Sequence, residues 1–233
     1  LSQGAGNGRD LLALGASLQQ LPDIAADLSA LAAKAPIFAA LPERVGDFAE
    51  LTELLLRAMV EEPPVTIKEG GMIRDGYNAQ LDELRAASRD GKNWLAELEA
   101  RERQATGIDS LKIRYNNVFG YYIEITKANY SKIPEGRYVR KQTLANAERF
   151  VTDELKKMEG TILGADERAR QLEYELFCNL RSEVGEYIDR IQATSETLAE
   201  VDVLLSLAEK AQLYRYCRPQ LDMSRDLQIL NGR

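Results

Sequence analysis

Residues 111–126 read LKIRYNNVFGYYIEIT, and their alternation decides how the chain is read. Leu111, Ile113 and Tyr115 alternate with Lys112 and Arg114, and Tyr121, Ile123 and Ile125 with Tyr122, Glu124 and Thr126. A period of two marks half-buried strands. Asn116, Asn117 and Gly120 lie between the two runs and are turn residues, so the stretch predicts a β-hairpin. A second hairpin follows, with RYVRKQT and ERFV as strands and LAN as the turn. A sheet of four short strands has little core, so bulky rings must supply its burial. Tyr121, Ile123 and Ile125 are therefore expected to face inward with Leu111, Ile113 and Tyr115. Lys112 and Arg114 are left for solvent or phosphate.

On both sides the rhythm becomes helical. Leu81, Leu84, Ser88, Gly91, Leu95, Leu98, Glu102 and Ala105 recur at steps of three and four. They predict a helix from about Tyr77 to Ala105, about 40 Å long. Downstream, Leu155, Met158, Ile162, Ala165, Ala169, Leu172, Leu176, Leu180, Val184, Tyr187 and Ile191 form a second stripe. It predicts a helix from Thr152 or Asp153 to at least Ile191, about 60 Å long, with a stutter over 172–184. Whether TSET at 194–197 breaks it stays open. The simplest geometry is an antiparallel pair carrying the sheet at its far end. A helical hairpin inside a compact bundle is the other reading, and the helix lengths argue against it.

The first 60 residues read as packed helices. Leu11, Leu14 and Leu18 share one face, and Pro22 and Pro42 each open a further helix, the second being ERVGDFAELTELLLRAM. Residues 61–78, EEPPVTIKEGGMIRDGYN, interrupt the pattern. VTIK within them is expected to be extended. The opening LSQGAGNGRD has no signal-peptide core, and DLQILNGR at the other end resembles a strand cut short. Both ends suggest a piece of a longer protein.

The net charge of −7 over 233 residues is not that of a nucleic-acid binder taken whole. Residues 107–150 differ. They hold eight Lys or Arg and four Asp or Glu, a net +4 that leaves −11 for the remainder. A basic sheet suits a polyanion, and Lys on sheet edges equally suits protection against aggregation. The basic hairpin RKQTLAN supplies Arg140, Lys141, Thr143 and Asn146 for phosphate contact, and nothing resembles a recognition helix. The absence of histidine removes His-based triads and zinc sites, and two cysteines are too few for a disulfide framework. No phosphate-loop motif and no apolar run long enough for a membrane span occur. Trp94, beside the first helical stripe, reads as packing.

LKIRYNNVFGYYIEITKANYSKIPEGRYVRKQTLANAERFVTDELK resembles the clamp segment of bacterial MutS-type DNA mismatch-repair proteins. EEPPVTIKEGGMIRDGYNAQLDELR is similar to the join between core and lever helix in that family, and LAEVDVLLSLAEKA with the final NGR to the approach to its ATPase domain. The resemblance implies a mainly α, multi-domain fold, in which two long antiparallel lever helices carry a small antiparallel β clamp. The divisions would be a partial core at 1–76, an outgoing lever at 77–105, a clamp at 106–151, a returning lever at 152–193, a terminal core helix at 194–218 and a linker or strand at 219–233. It implies a clamp that contacts double-stranded DNA through the phosphate backbone, a homodimer and a MutL-type repair partner. No membrane is involved, and the location would be the bacterial cytoplasm, on the nucleoid. ATP and Mg would belong to an ATPase domain absent from this chain, so no enzyme activity is expected of it, although the full-length protein would be a DNA-dependent ATPase. Arg140, Lys141, Thr143 and Asn146 match the clamp hairpin that faces DNA, and Lys127, Lys132, Lys112 and Arg114 extend the candidate set. Ala145 stands where many relatives carry lysine. The competing reading is a coiled-coil arm whose tip binds another protein through exposed Phe119, Tyr121 and Tyr122.

Overall fold

A computed structural model describes residues 6–229. They fall into two compact units. One comprises the chain up to Gln19 together with Phe48–Glu186, and the other comprises Gln20–Asp47 together with the chain from Tyr187 onward.

In the first unit, α1 (Gly8–Leu18) packs on α4 (Ala49–Ala58). The two come close at Gly15, where an added Cβ would stand 3.4 Å from the Leu55 side chain. Leu11, Leu51, Leu55 and Met59 are buried there. The helix expected after Pro42 is interrupted: α3 (Leu41–Arg44) stops before α4 begins. Val45 is extended between them, and the Gly46 N–H donates to the Thr194 hydroxyl at 3.0 Å instead of continuing a helix. VTIK is not extended either. Gly70 and Gly71, at φ 80° and 83°, reverse the chain after it, and Ile73 makes the bridge, antiparallel to Met59. Only glycine adopts two successive positive φ values without strain.

Asn78 caps α5 (Ala79–Thr106), and Gly107 closes it at φ 65°. α6 spans Asp153–Glu186. Cross-contacts Arg85–Glu173, Ser88–Asp166, Gly91–Ile162 and Arg101–Glu154 fall along one descending diagonal, so the helices run antiparallel. At 28 and 34 residues they are about 42 and 51 Å long. Leu81, Ser88, Gly91, Leu95, Leu98 and Glu102 of the α5 stripe are buried, while Ala105 is exposed. In α6 the stripe shifts by one residue. Glu173 and Phe177 are buried where Leu172 and Leu176 were expected, and those leucines are half-buried. Glu173 takes the place because it has work there. Its carboxylate accepts from the Met72 and Ile73 N–H groups and pairs with Arg85 at 3.1 Å.

The long helix expected to reach Ile191 ends at Glu186. A new one, α7 (Ile188–Leu213), begins after Tyr187, whose φ and ψ are −96° and −2°. Gly185, a poor helix former, lies just before the break. The suspected break at 194–197 is absent. Thr194 and Thr197 are buried inside α7, and the Thr197 hydroxyl donates to the Ala193 carbonyl at 3.0 Å. In this second unit α2 (Leu21–Lys34) packs on α3, and α3 meets α7, with an Arg44–Glu200 pair at 2.6 Å. Residues 226–229 of the expected terminal strand are irregular, and 230–233, with NGR, lie outside the described residues.

Candidate nucleic-acid interface

Four strands stand between α5 and α6: β1 (Lys112–Asn116), β2 (Gly120–Thr126), β3 (Val139–Thr143) and β4 (Ala147–Val151). Their order is β1-β2-β4-β3 and every pairing is antiparallel. Both expected hairpins are present, with Leu144–Asn146 as the second turn.

One face packs on the helix pair. Ile123, Ile125 and Phe150 join Leu95, Leu98, Leu155 and Ile162 in a single buried cluster, with Leu111 and Ile108 beneath. Trp94 packs against its edge. Tyr121 and Ile113 are half-buried on this face, but Tyr115 is 45% exposed, so the inward set ends one residue sooner than expected. The opposite face holds a burial that alternation does not show. Tyr122 is only 4% exposed because the Arg149 guanidinium covers its ring at 4.3 Å. Arg149 also donates to the Gln142 amide oxygen at 2.8 Å. Tyr122 is buried and Phe119 and Tyr121 are half-buried, so these three rings are not the exposed patch expected of a protein-binding tip.

Helix carboxylates fix the sheet's position. The Ile113 N–H donates to Glu99 at 2.7 Å, and the Arg103 guanidinium donates to the Leu111 carbonyl at 2.7 Å. The Tyr121 N–H donates to Glu159 at 3.2 Å, and this carboxylate lies against Gly120 (φ 70°), where any side chain would collide with it. Glu102 grips the segment entering β3. Arg137 donates to it twice, at 2.8 and 2.9 Å, and the Tyr138 hydroxyl donates a third bond. Burial pushes the Glu102 carboxyl up, but the bonds from Arg137 and Tyr138 outweigh it and hold it below the usual range. Burial, followed by the bond to Glu102, raises the Tyr138 hydroxyl well above its ordinary value. Sequence reading missed this cluster. Its signal was Glu102 itself, a carboxylate in an apolar stripe that must find a partner.

The candidate residues divide between two settings. Lys127 and Lys132 begin and end a 3-10 turn, and the Lys127 N–H donates to the Asn146 carbonyl at 3.2 Å. The Leu144 N–H closes the neighbouring hairpin on the Ala147 carbonyl at 2.9 Å, which sets Thr143 beside Asn146. Lys127, Thr143 and Asn146 are thus brought together, all exposed, with Ala145 at the turn. Arg140 is drawn elsewhere. It is opposite Phe150, pairs with Glu148 at 3.0 Å, and lies 5.2 Å over the Tyr130 ring while donating to that hydroxyl. Lys141 occupies the register shift between Arg140 and Gln142 and donates to the Phe119 carbonyl. Lys112 stands opposite Glu124, and Arg114 pairs with Glu124 at 3.6 Å.

The charge that remains is simple. Glu124 and Glu148 are taken up by arginines of the sheet, and Arg137 by a carboxylate of α5. Among the described residues, Lys112, Lys127, Lys132 and Lys141 are exposed and make no ion pair with a carboxylate. Such lysines neutralise phosphates without reading bases. No group of His, Cys, Asp or Glu among the described residues is arranged to hold a metal ion, and no described helix is long and apolar enough to cross a membrane.

The profile of MutS family domain IV matches residues 76–168. The DNA mismatch repair protein MutS of Geobacillus kaustophilus is 53% identical over 235 residues, covering 100% of this chain and 26% of that protein. Its namesakes from Bacillus cytotoxicus and Myxococcus xanthus are each 51% identical over 233 residues, with the same coverage. The chain spans about a quarter of the length of these curated relatives.

Proposed function

Because the chain belongs to the MutS family, with residues 76–168 matching its domain IV, we propose that the sheet grips the backbone of duplex DNA without sequence preference. The observation that carries this reading is the division of charge. The carboxylates of the two central strands, Glu124 and Glu148, are already paired, while four lysines remain exposed without acidic partners. Thr143, Asn146 and backbone N–H groups position the phosphates, and Arg140 joins when it leaves Glu148. Through the helix pair, DNA contact at the sheet is transmitted to the rest of a longer protein. ATP and Mg binding, ATP hydrolysis, the homodimer contact and the MutL-type partner belong there, so this chain alone turns over no ATP. Its place is the bacterial cytoplasm, on the nucleoid.

Duplex titration against salt tests the reading. With about four phosphates neutralised, log K falls against log salt with a slope of about −3.6. Reversing Arg140 and Lys141 to Glu weakens binding to all sequences alike. Equal affinity at low and high salt refutes the proposal. A turnover assay with ATP checks the absence of catalysis.

A further inference from the structure

The two hairpins share the buried cluster through Ile123, Ile125 and Phe150, but their polar ties to the helices differ, and the tie of the second to α5 converges on one side chain. The first is tied through backbone N–H groups, Ile113 to Glu99 and Tyr121 to Glu159. Bonds of this kind tolerate changes of side chain along the strands. The second hairpin carries Arg140, Lys141, Thr143 and Asn146. Among the described residues, its entry segment is tied to α5 by polar bonds at Glu102, through Arg137 and Tyr138. Glu102 is 6% exposed and lies between buried Leu98 and the end of α5. Its three incoming bonds leave little freedom for the two residues directly before β3. The same Tyr138 ring meets Phe150 of β4 at 5.8 Å, so the tie reaches the hairpin's core.

We propose that Glu102 is a positioning residue, a latch that sets the second hairpin against α5 and passes a load on that hairpin into the helix. This rests on the reading of the sheet as a DNA grip, and it names the side chain through which that grip is coupled to the lever. Glu102 touches no phosphate itself. A planar guanidinium bound twice to a carboxylate fixes direction as well as distance, which a lysine or a single bond would not.

Amide exchange on the whole chain, with and without a short duplex, tests the latch. Without DNA, Glu102→Gln speeds exchange about tenfold in peptides covering 137–143 and 98–106, and leaves 112–126 unchanged. Tyr138→Phe, which removes one donor only, gives a smaller change in the same two segments. Arg101→Gln, which breaks the exposed pair between the α5 residue next to Glu102 and Glu154 of α6, changes neither. With duplex bound, the parent chain gains protection in both 137–143 and 98–106, whereas Glu102→Gln gains it in 137–143 alone. Uniform acceleration of all four strands, or none, overturns the latch. So does duplex protection of 98–106 that survives Glu102→Gln. If the parent chain binds no duplex, the DNA reading fails, and the DNA-free exchange pattern still decides the latch.

Discussion

The two hairpins have nearly the same size and the same alternation, yet they serve opposite ends. The first puts its apolar residues into the shared core and its backbone onto helix carboxylates. The second has an exposed outer strand, β3, and spends its arginines on neighbouring carboxylates. The first is scaffold, and the second joins a buried inner strand, β4, to a surface strand, β3. Alternation alone does not separate them, because period two reports which side a residue faces and not what it meets there.

Core truncation gives the largest contrast. Ile123 is fully buried in the cluster between sheet and helices. Ile123→Ala is expected to destabilise the first unit by about 3 kcal/mol. Val139→Ala, at a β3 position 61% exposed, is expected to cost no more than about 0.5 kcal/mol. Urea unfolding followed by circular dichroism measures both. Equal losses would make the second hairpin a structural element like the first.

Acid separates the anchors more gently. The Glu102 carboxyl is held below its ordinary range in the folded chain, so its contribution is complete at neutral pH and disappears as pH falls through the folded value. Glu102→Gln is therefore expected to cost about 2 kcal/mol at pH 7. The melting difference from the parent holds steady down to about pH 5 and closes below the ordinary glutamate value of about 4.3. A difference that persists unchanged in strong acid would mean that packing, and not charge, holds Arg137.

What the sequence disclosed follows the same division. Strand positions and the turns at 116–120 and 144–146 were legible, because alternation and turn residues are local signals. Buried Leu81, Leu95 and Ile162 were legible from the heptad rhythm. Glu102 was visible only as an anomaly in its stripe and Glu173 not at all, since their partners lie 35 residues on, at Arg137, and 88 residues back, at Arg85. The commitment of Arg140 to Glu148 escaped because a cation in a basic hairpin looks free until its register is known. Tyr122 escaped because its cover is Arg149, a residue that alternation assigns to solvent.

The free cations of the turn before the second hairpin and the committed cation within it should behave differently toward DNA. Replacing Lys127 and Lys132 together by Gln removes two unpaired charges and is expected to flatten the salt slope by about 1.8. Arg140→Gln is expected to flatten it by less than about 0.9, because in the unbound chain that guanidinium already holds Glu148 and Tyr130 and must leave them to reach phosphate. Fluorescence anisotropy with a labelled duplex at a series of salt concentrations reads both. A larger effect from Arg140 would show that DNA easily displaces Glu148.

The smallest change tests the turn itself. Ala145 is exposed between Leu144 and Asn146, where the chain reverses beside Lys127. A lysine there meets no burial and breaks no bond of the turn, which closes through backbone groups at Leu144 and Ala147. Ala145→Lys should leave the melting temperature unchanged. If the turn lies against the duplex, it steepens the salt slope by about 0.9 and raises affinity a few-fold at low salt. If affinity rises without a change in slope, the added charge acts from a distance and the contact surface lies along β3, toward Lys141, and not at its end. An unchanged affinity would remove the turn from the interface and leave Lys112 and Lys141 as its centre.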